Sequence, residues 1–590
     1  MKQFLITVAG VLTGLVLFLF IGPIILISML MSSVNSRPPQ PQHMVLSLDL
    51  REPMTDQRPS NPFAAFGGGS EALLDVLARI EAARTDNSVD GIYVRASTQG
   101  MPAAQAEEIR SALQAFQRSG KFVVAHIQND GVRMSMPGYM AVADADEVWL
   151  QGASEFMPMG LSAEVTFFAG TLQRYHMQAQ FETREEYKTA AATMTDRDFT
   201  PAHREELTSL MTSLYDVMLA NIAADRGINA QQARAAIEAT PFTGQRAVEL
   251  KLVDKLGRPE EAERAALARA QQTHRGAEVV DFAEYRPPQR NSGPVIAVVQ
   301  GEGAIVSGPE SHELFGDEQA MNSDRVAQAL LDASEDEDVR VIVFRVSSPG
   351  GSVVASDQIL AALRTAQERG KKIVVSMGEV AASGGYYVSA YADEIVAEPT
   401  TITGSIGVLG GKLVIGSAMD YYLSSNTPDP ITVGSPLVNM FSSDRPFNQA
   451  ERAAFAGFID RAYQDFMGIV AEGRGLTREQ VHEIARGRVW TGQQALERHL
   501  VDHLGGFSVA VARARALAGI GENERVQLKF YPAEENPFEA IEKMFGVSSE
   551  SAQSLARLNA FMSDPRVARA MAALREEDAN VRAESHVEVR

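Results

Sequence analysis

The sequence predicts an α/β protein of two tandem, homologous domains behind an N-terminal membrane segment. Three observations carry that expectation. Short β-branched apolar runs alternate with stretches of helical spacing, the pattern of parallel strands joined by crossover helices. Two residue motifs recur at one common offset of about 248 residues. Residues 3–36 carry no charge and enclose an apolar run longer than the roughly 20 residues that span a bilayer.

That run, Phe4–Met31, is too long for the apolar region of a cleaved signal peptide. Ser32-Ser33-Val34-Asn35-Ser36 is also a poor cleavage site, so residues 1–36 read as a retained transmembrane anchor, kinked or ended at Gly22-Pro23. Lys2 is the only charged side chain before it, which places the N-terminus in the cytoplasm and the bulk of the chain outside. Arg37–Gln42 is a Pro-rich spacer.

The first domain is expected over residues 43–285. His43–Leu50, Gly91–Arg95 and Lys121–His126 read as strands. Glu71–Thr85 and Ala103–Ser119 have helical spacing, and Arg58–Ser70 reads as a flexible loop. The pattern returns over residues 294–530, the second domain, beyond the linker Arg286–Gly293. Its strands are Val295–Val299, Val339–Val346 and Lys372–Ser376, and its helices Asp324–Ala333 and Val353–Arg369. Ala143–Val148 parallels Ala390–Ile395, and Thr243-Gly244-Gln245 parallels Thr491-Gly492-Gln493. Residues 537–590 form an expected helical appendage, with a charged end from Glu576.

Composition excludes several functions. A net charge of −21 argues against a nucleic-acid partner, since phosphate binding needs a basic face. The absence of cysteine removes thiolate nucleophiles and cysteine metal sites. Gly410-Gly411-Lys412-Leu413 lacks the spacing of a P-loop, and His482-Glu483 lacks the second histidine of a zinc protease.

Chemistry concentrates in the second domain. Ala381-Ala382-Ser383-Gly384-Gly385-Tyr386 sets one hydroxyl among small residues between a strand and a helix-compatible run. There the Gly384 amide can face an oxygen held beside Ser383. Ser347-Ser348-Pro349-Gly350-Gly351-Ser352 bends a second stretch of backbone, and a Gly351 amide across the pocket would complete an oxyanion hole. The first domain has Met136 and Pro137 opposite Ser383 and Gly384, and proline has no amide hydrogen to donate. A serine needs a base. The ten histidines form no triad-like pattern, although a distant histidine stays open at this stage. Lys188, one of only ten lysines, is flanked by Thr189-Ala190-Ala191-Ala192 and has Pro436 as its counterpart in the second domain. Burial that lowers a lysine pKa by about 3–5 units would make it a base.

These segments, with Thr403-Gly404-Ser405-Ile406-Gly407 and Tyr187-Lys188, resemble the signal peptide peptidase A family in its long, tandem-domain bacterial form. The resemblance implies a Clp-protease/crotonase-like fold and a Ser/Lys dyad. Ser383 would be the nucleophile, Lys188 the general base and Ser405 the residue orienting the lysine. Gly384 and Gly351 would supply the oxyanion amides. It also implies cleavage of signal-peptide remnants and other unfolded peptides on the periplasmic side of the bacterial inner membrane. The enzyme would be a homo-oligomer, a tetramer in the long form, working with neither metal nor cofactor. Two competing readings keep the fold without peptidase activity: an acyl-CoA-binding protein and a membrane-tethered scaffold.

Overall fold

The structure is a computed structural model describing residues 39–57, 71–98, 100–129, 134–288, 293–309, 320–425, 430–521 and 524–532. The expected anchor over 1–36, the loop 58–70 and the appendage 537–590 lie outside the described residues.

The first domain is built on a six-stranded parallel sheet. Its order is Lys255–Leu256, Glu147–Leu150, Phe122–Ile127, Val89–Arg95, Met44–Asp49 and Glu278–Asp281. The second sheet runs Val489–Thr491, Ile402–Gly404, Lys372–Ala382, Val339–Ser348, Val295–Glu302 and Gln527–Tyr531. Glu394–Ala397 pairs beside Lys372–Ala382 and carries His503–Leu504 in turn. Every pair of this sheet is parallel except Ile402–Gly404 with Val489–Thr491.

Both sheets are covered on their two faces, so their central strands read as continuous apolar runs instead of alternating. Phe122–Ile127 is buried throughout. Helices Ser323–Glu335 and Val353–Glu368 pack one face of the second sheet, and Phe507–Leu517 packs the other. Leu74, from helix Leu73–Thr85 of the first domain, joins that second face beside Ile296, Val341 and Val374. The two domains therefore share buried apolar surface.

Duplication is written in the hydrogen bonds. Tyr139 donates to the Leu252 carbonyl at 2.5 Å, and Tyr386 to the Leu500 carbonyl at 2.9 Å. Asp254 accepts from the Val148 amide and Asp502 from the Ile395 amide, both at 2.8 Å. Arg226 pairs with Asp254, and Arg474 with Asp502. Each pair repeats the other near the offset that the sequence motifs show.

A strand pairing and a buried ion cluster are among the features that join the domains. Strand Gln178–Thr183 leaves the first domain and pairs antiparallel with Leu409–Val414 of the second. Arg345, 1% exposed in the second sheet, donates to Asp56 at 2.7 Å and to Glu108 at 2.6 Å, both from the first domain. Burial holds the Glu108 carboxyl above its usual pKa, although the Arg345 charge pulls it down.

Two elements differ from the sequence reading. The strand expected over Lys372–Ser376 continues to Ala382, because a register shift after Val346 lets its distal part pair with Ile402–Gly404. The helix after Ser383 is only Gly384–Tyr387. Beyond it the Ser389 and Ala392 amides donate three residues back, and the Ser389 hydroxyl bonds the Gly385 carbonyl, which tightens the chain into turns.

Among the described residues one helix, Pro201–Asp225, is long and apolar enough to cross a bilayer. Its Leu210, Met218, Leu219, Ile222 and Ala223 are buried, and its Ser213 bonds Thr491, so it serves as a packing helix of the fold.

Candidate active site

Ser383 stands where strand Lys372–Ala382 meets the short helix Gly384–Tyr387. Its amide donates to the Gly404 carbonyl at 2.9 Å, continuing the pairing of Ala382 with Gly404. The chain then reverses direction within one residue. Ser383 adopts φ 54° and ψ −116°, a conformation that suits glycine, and such strain costs of order 1–3 kcal/mol. The turn lifts the hydroxyl out of the sheet while the residues on either side stay buried.

Two glycines make that turn possible. A Cβ on Gly350 would lie 2.7 Å from the Gly384 nitrogen and 2.8 Å from Ser383 Cβ. A Cβ on Gly384 would lie 3.2 Å from the Gly351 nitrogen. The backbones of Gly350-Gly351 and Ser383-Gly384 are thus in direct contact. Gly384 opens its helix, so its N–H has no partner within it. The Gly350 carbonyl and Ser352 amide both bond Ile305, at 2.9 and 2.8 Å, which turns the intervening Gly351 N–H the other way. The structure places both candidate oxyanion amides beside Ser383.

Lys188 arrives from the other domain of the same chain. It lies in the loop between strand Gln178–Thr183 and helix Ala192–Thr195, so the antiparallel pairing with Leu409–Val414 carries it to the second domain. Its Nζ is 3.0 Å from Ser383 Oγ, 2.9 Å from Ser405 Oγ and 3.0 Å from the Ser405 carbonyl. Ser405, itself at φ 50°, donates its amide to the Arg488 carbonyl at 2.7 Å and its hydroxyl to the Gly487 carbonyl at 3.3 Å. All five residues expected at the site are brought together.

The lysine is only 8% exposed, and burial lowers its pKa to about 8, against a smaller upward pull from Glu206. At pH 7 about one-tenth of the chains would hold the neutral amine, and at pH 9 about nine-tenths. A neutral amine at this distance can accept the hydroxyl proton. Two backbone donors beside the same hydroxyl can stabilise an oxyanion.

Three further residues shape this site: Gly407, quoted in its motif without a role, and Gly487 and Glu206, which sequence reasoning missed. Gly487 and Gly407 pack over the lysine: a Cβ on Gly487 would lie 2.5 Å from the Lys188 backbone nitrogen, and one on Gly407 3.2 Å from Lys188 Cδ. Glu206 on helix Pro201–Asp225 accepts from the Val489 amide at 2.8 Å and the Thr189 hydroxyl at 3.4 Å. Burial raises its pKa to about 7, opposed by the Val489 bond and Arg488. Its anion favours the ammonium form of Lys188. Glu206→Gln is therefore expected to let the lysine pKa fall further, moving the acid limb of the kcat/KM profile to lower pH. A limb that stays in place or moves upward would contradict this role.

The counterparts in the first domain are occupied otherwise. Ser135 Oγ caps a helix by accepting from the Gly138 amide at 3.1 Å, and Met136 is buried in the core. In the second domain, Lys412 of the Gly410-Gly411-Lys412-Leu413 stretch donates to the Met440 and Ser442 carbonyls, both at 2.9 Å. His482 faces Glu185 at the surface.

A family model matches once in each domain. The profile of peptidase family S49 matches twice, over residues 115–273 and 365–521. Protease 4 of Salmonella typhi is 32% identical over 472 residues, covering 77% of this chain and 74% of its own. The chloroplastic serine protease SPPA of Arabidopsis thaliana is 26% identical, covering 82% of this chain and 70% of its own. A ClpP1 mutant of Listeria monocytogenes aligns at 18% identity with a TM-score of 0.23, over 36% of this chain and 94% of its own. With one family match in each of its two tandem domains, the chain belongs to peptidase family S49 and is a serine protease.

Proposed function

We propose that this protease is a membrane-anchored endopeptidase that degrades signal-peptide remnants and other unfolded peptides on the periplasmic side of the inner membrane, through a Ser383/Lys188 dyad. The observation that carries the reading is the 3.0 Å approach of Lys188 Nζ to Ser383 Oγ, with each residue coming from a different domain.

Ser383 Oγ attacks the scissile carbonyl carbon and its proton passes to neutral Lys188. The Gly384 and Gly351 amides hold the oxyanion, and Ser405 keeps the amine directed at Oγ. As the C–N bond breaks, the Lys188 ammonium protonates the departing amine, which leaves Ser383 as an ester. Water then attacks the ester, giving one proton to Lys188 that returns to Ser383 Oγ as the acid leaves. The apolar segment Phe4–Met31 supports the membrane anchor, and Lys2 supports a cytoplasmic N-terminus. A tetrameric assembly follows from the resemblance.

The substrate reading is tested by incubating the full-length protein, in liposomes, with a synthetic signal peptide and with a folded domain of similar length. Mass spectrometry is expected to find internal cuts in the signal peptide within minutes and the folded domain intact. A spared signal peptide beside rapid cleavage of a generic unfolded peptide would overturn that substrate class.

A further inference from the structure

Three side chains that hydrolysis does not use converge at the N-terminal ends of inner strands of the first sheet. His43 immediately precedes strand Met44–Asp49, Asp90 lies in strand Val89–Arg95, and His274 follows helix Pro259–Thr273. His274 Nδ1 is 2.9 Å from Asp90 Oδ1, and His43 Nδ1 is 3.5 Å from the same oxygen. The two imidazole rings stack, with centroids 3.4 Å apart and planes 6° from parallel. One ligand atom from each of the three lies within 4.8 Å of the others.

Two atoms of this cluster are buried with no hydrogen-bond partner. His43 Nδ1 and Asp90 Oδ2 make no hydrogen bond, and the Asp90 side chain is only 12% exposed. Buried polar atoms ordinarily find a donor, an acceptor or an ion. The ammonium of Lys121, which feels the Asp90 charge, is engaged by the Ala83 and Asp86 carbonyls. Among the described residues no lysine or arginine is bonded to this cluster, and the proton that His274 Nδ1 shares with Asp90 would leave when an ion binds.

We propose that His43, Asp90 and His274 bind a divalent cation of the zinc class, with water completing the coordination. Two imidazoles and one carboxylate suit zinc, nickel or copper, whereas magnesium and calcium require oxygen ligands throughout. Zinc sits at about 2.0–2.1 Å from imidazole nitrogen in a tetrahedral shell. Stacked rings point their lone pairs alongside one another, so loading requires the rings to splay. Their exposures of 32% and 35% leave room for that rotation. The bound ion would clamp the point where the chain enters the first sheet to a central strand and to the end of a helix. This assignment is independent of the proteolytic mechanism.

Tag-free protein stripped with chelator is titrated with Zn²⁺ against a chromophoric competitor, and separately with Co²⁺. One equivalent per chain is expected, with the intense visible bands of four-coordinate cobalt. His43→Ala, Asp90→Asn and His274→Ala should each lose that equivalent, while Ser383→Ala keeps it. His43→Gln and His274→Gln replace any alanine variant that lacks wild-type circular dichroism. Zn²⁺ should raise the melting temperature of the wild type and not that of the variants. No bound equivalent, or one retained when any of the three ligands is removed, would overturn the site.

Discussion

Lys188→Arg should abolish peptide hydrolysis while leaving the fold intact. A guanidinium stays protonated at every working pH and cannot accept the Ser383 proton, although it preserves the positive charge. Members of one catalytic unit are strongly non-additive, and losing any one of them costs about four to six orders of magnitude in kcat. Ser383→Ala, Lys188→Ala and the double variant should therefore have nearly equal kcat/KM values on a fluorogenic peptide. Independent contributions, with the double variant far below either single one, would break the dyad. In the wild type, kcat/KM should rise with pH through about 8, because the base is competent only after Lys188 loses its proton. A histidine base would place that limb nearer 6.5.

The second large effect concerns stability. Arg345→Met removes the charge that serves both Asp56 and Glu108 and leaves two carboxylates buried between the domains. Removing one partner of a buried ion pair typically costs about 3–5 kcal/mol. The urea midpoint should fall accordingly, with loss of activity, because the contact between domains also delivers Lys188 to Ser383. The pH dependence has a definite sign. Without Arg345 the Glu108 carboxyl is held still further above its unfolded pKa, so the deficit should shrink as pH falls and that carboxyl becomes neutral. Arg345→Met combined with Asp56→Asn and Glu108→Gln should recover part of the lost stability. A triple variant no more stable than Arg345→Met would argue against the charge cluster as the cause.

Much of this architecture is legible in the chain. The central strands announce themselves as nearly continuous apolar runs rich in β-branched residues because both sheets are covered on two faces. The duplication is visible because the repeated motifs hold repeated bonds, such as Asp254 and Asp502 capping equivalent strands. Ser383 and the glycines around it stand out since such a tight turn tolerates few other residues. Lys188 was far less visible. Its environment is made by Gly407 and Gly487, more than two hundred residues away, and nothing local marks a buried amine. Glu206 gives no signal either, being one acidic residue near the start of an ordinary helix. Arg345 did leave a trace, a lone charge deep in the apolar run Val341–Val346, but its partners could come only from the fold. The same holds for His43, Asp90 and His274, which no ligand spacing links.

In the proposed mechanism one catalytic unit is assembled from both domains of a single chain. Its most direct measurement is the rate at which a serine-directed acylating probe modifies Ser383, followed across pH by mass spectrometry of the peptide that contains it. Modification is expected at Ser383 alone, rising with pH through about 8 in the wild type and nearly absent in Lys188→Ala and Lys188→Arg. Rapid labelling of Ser383 in either lysine variant would contradict it.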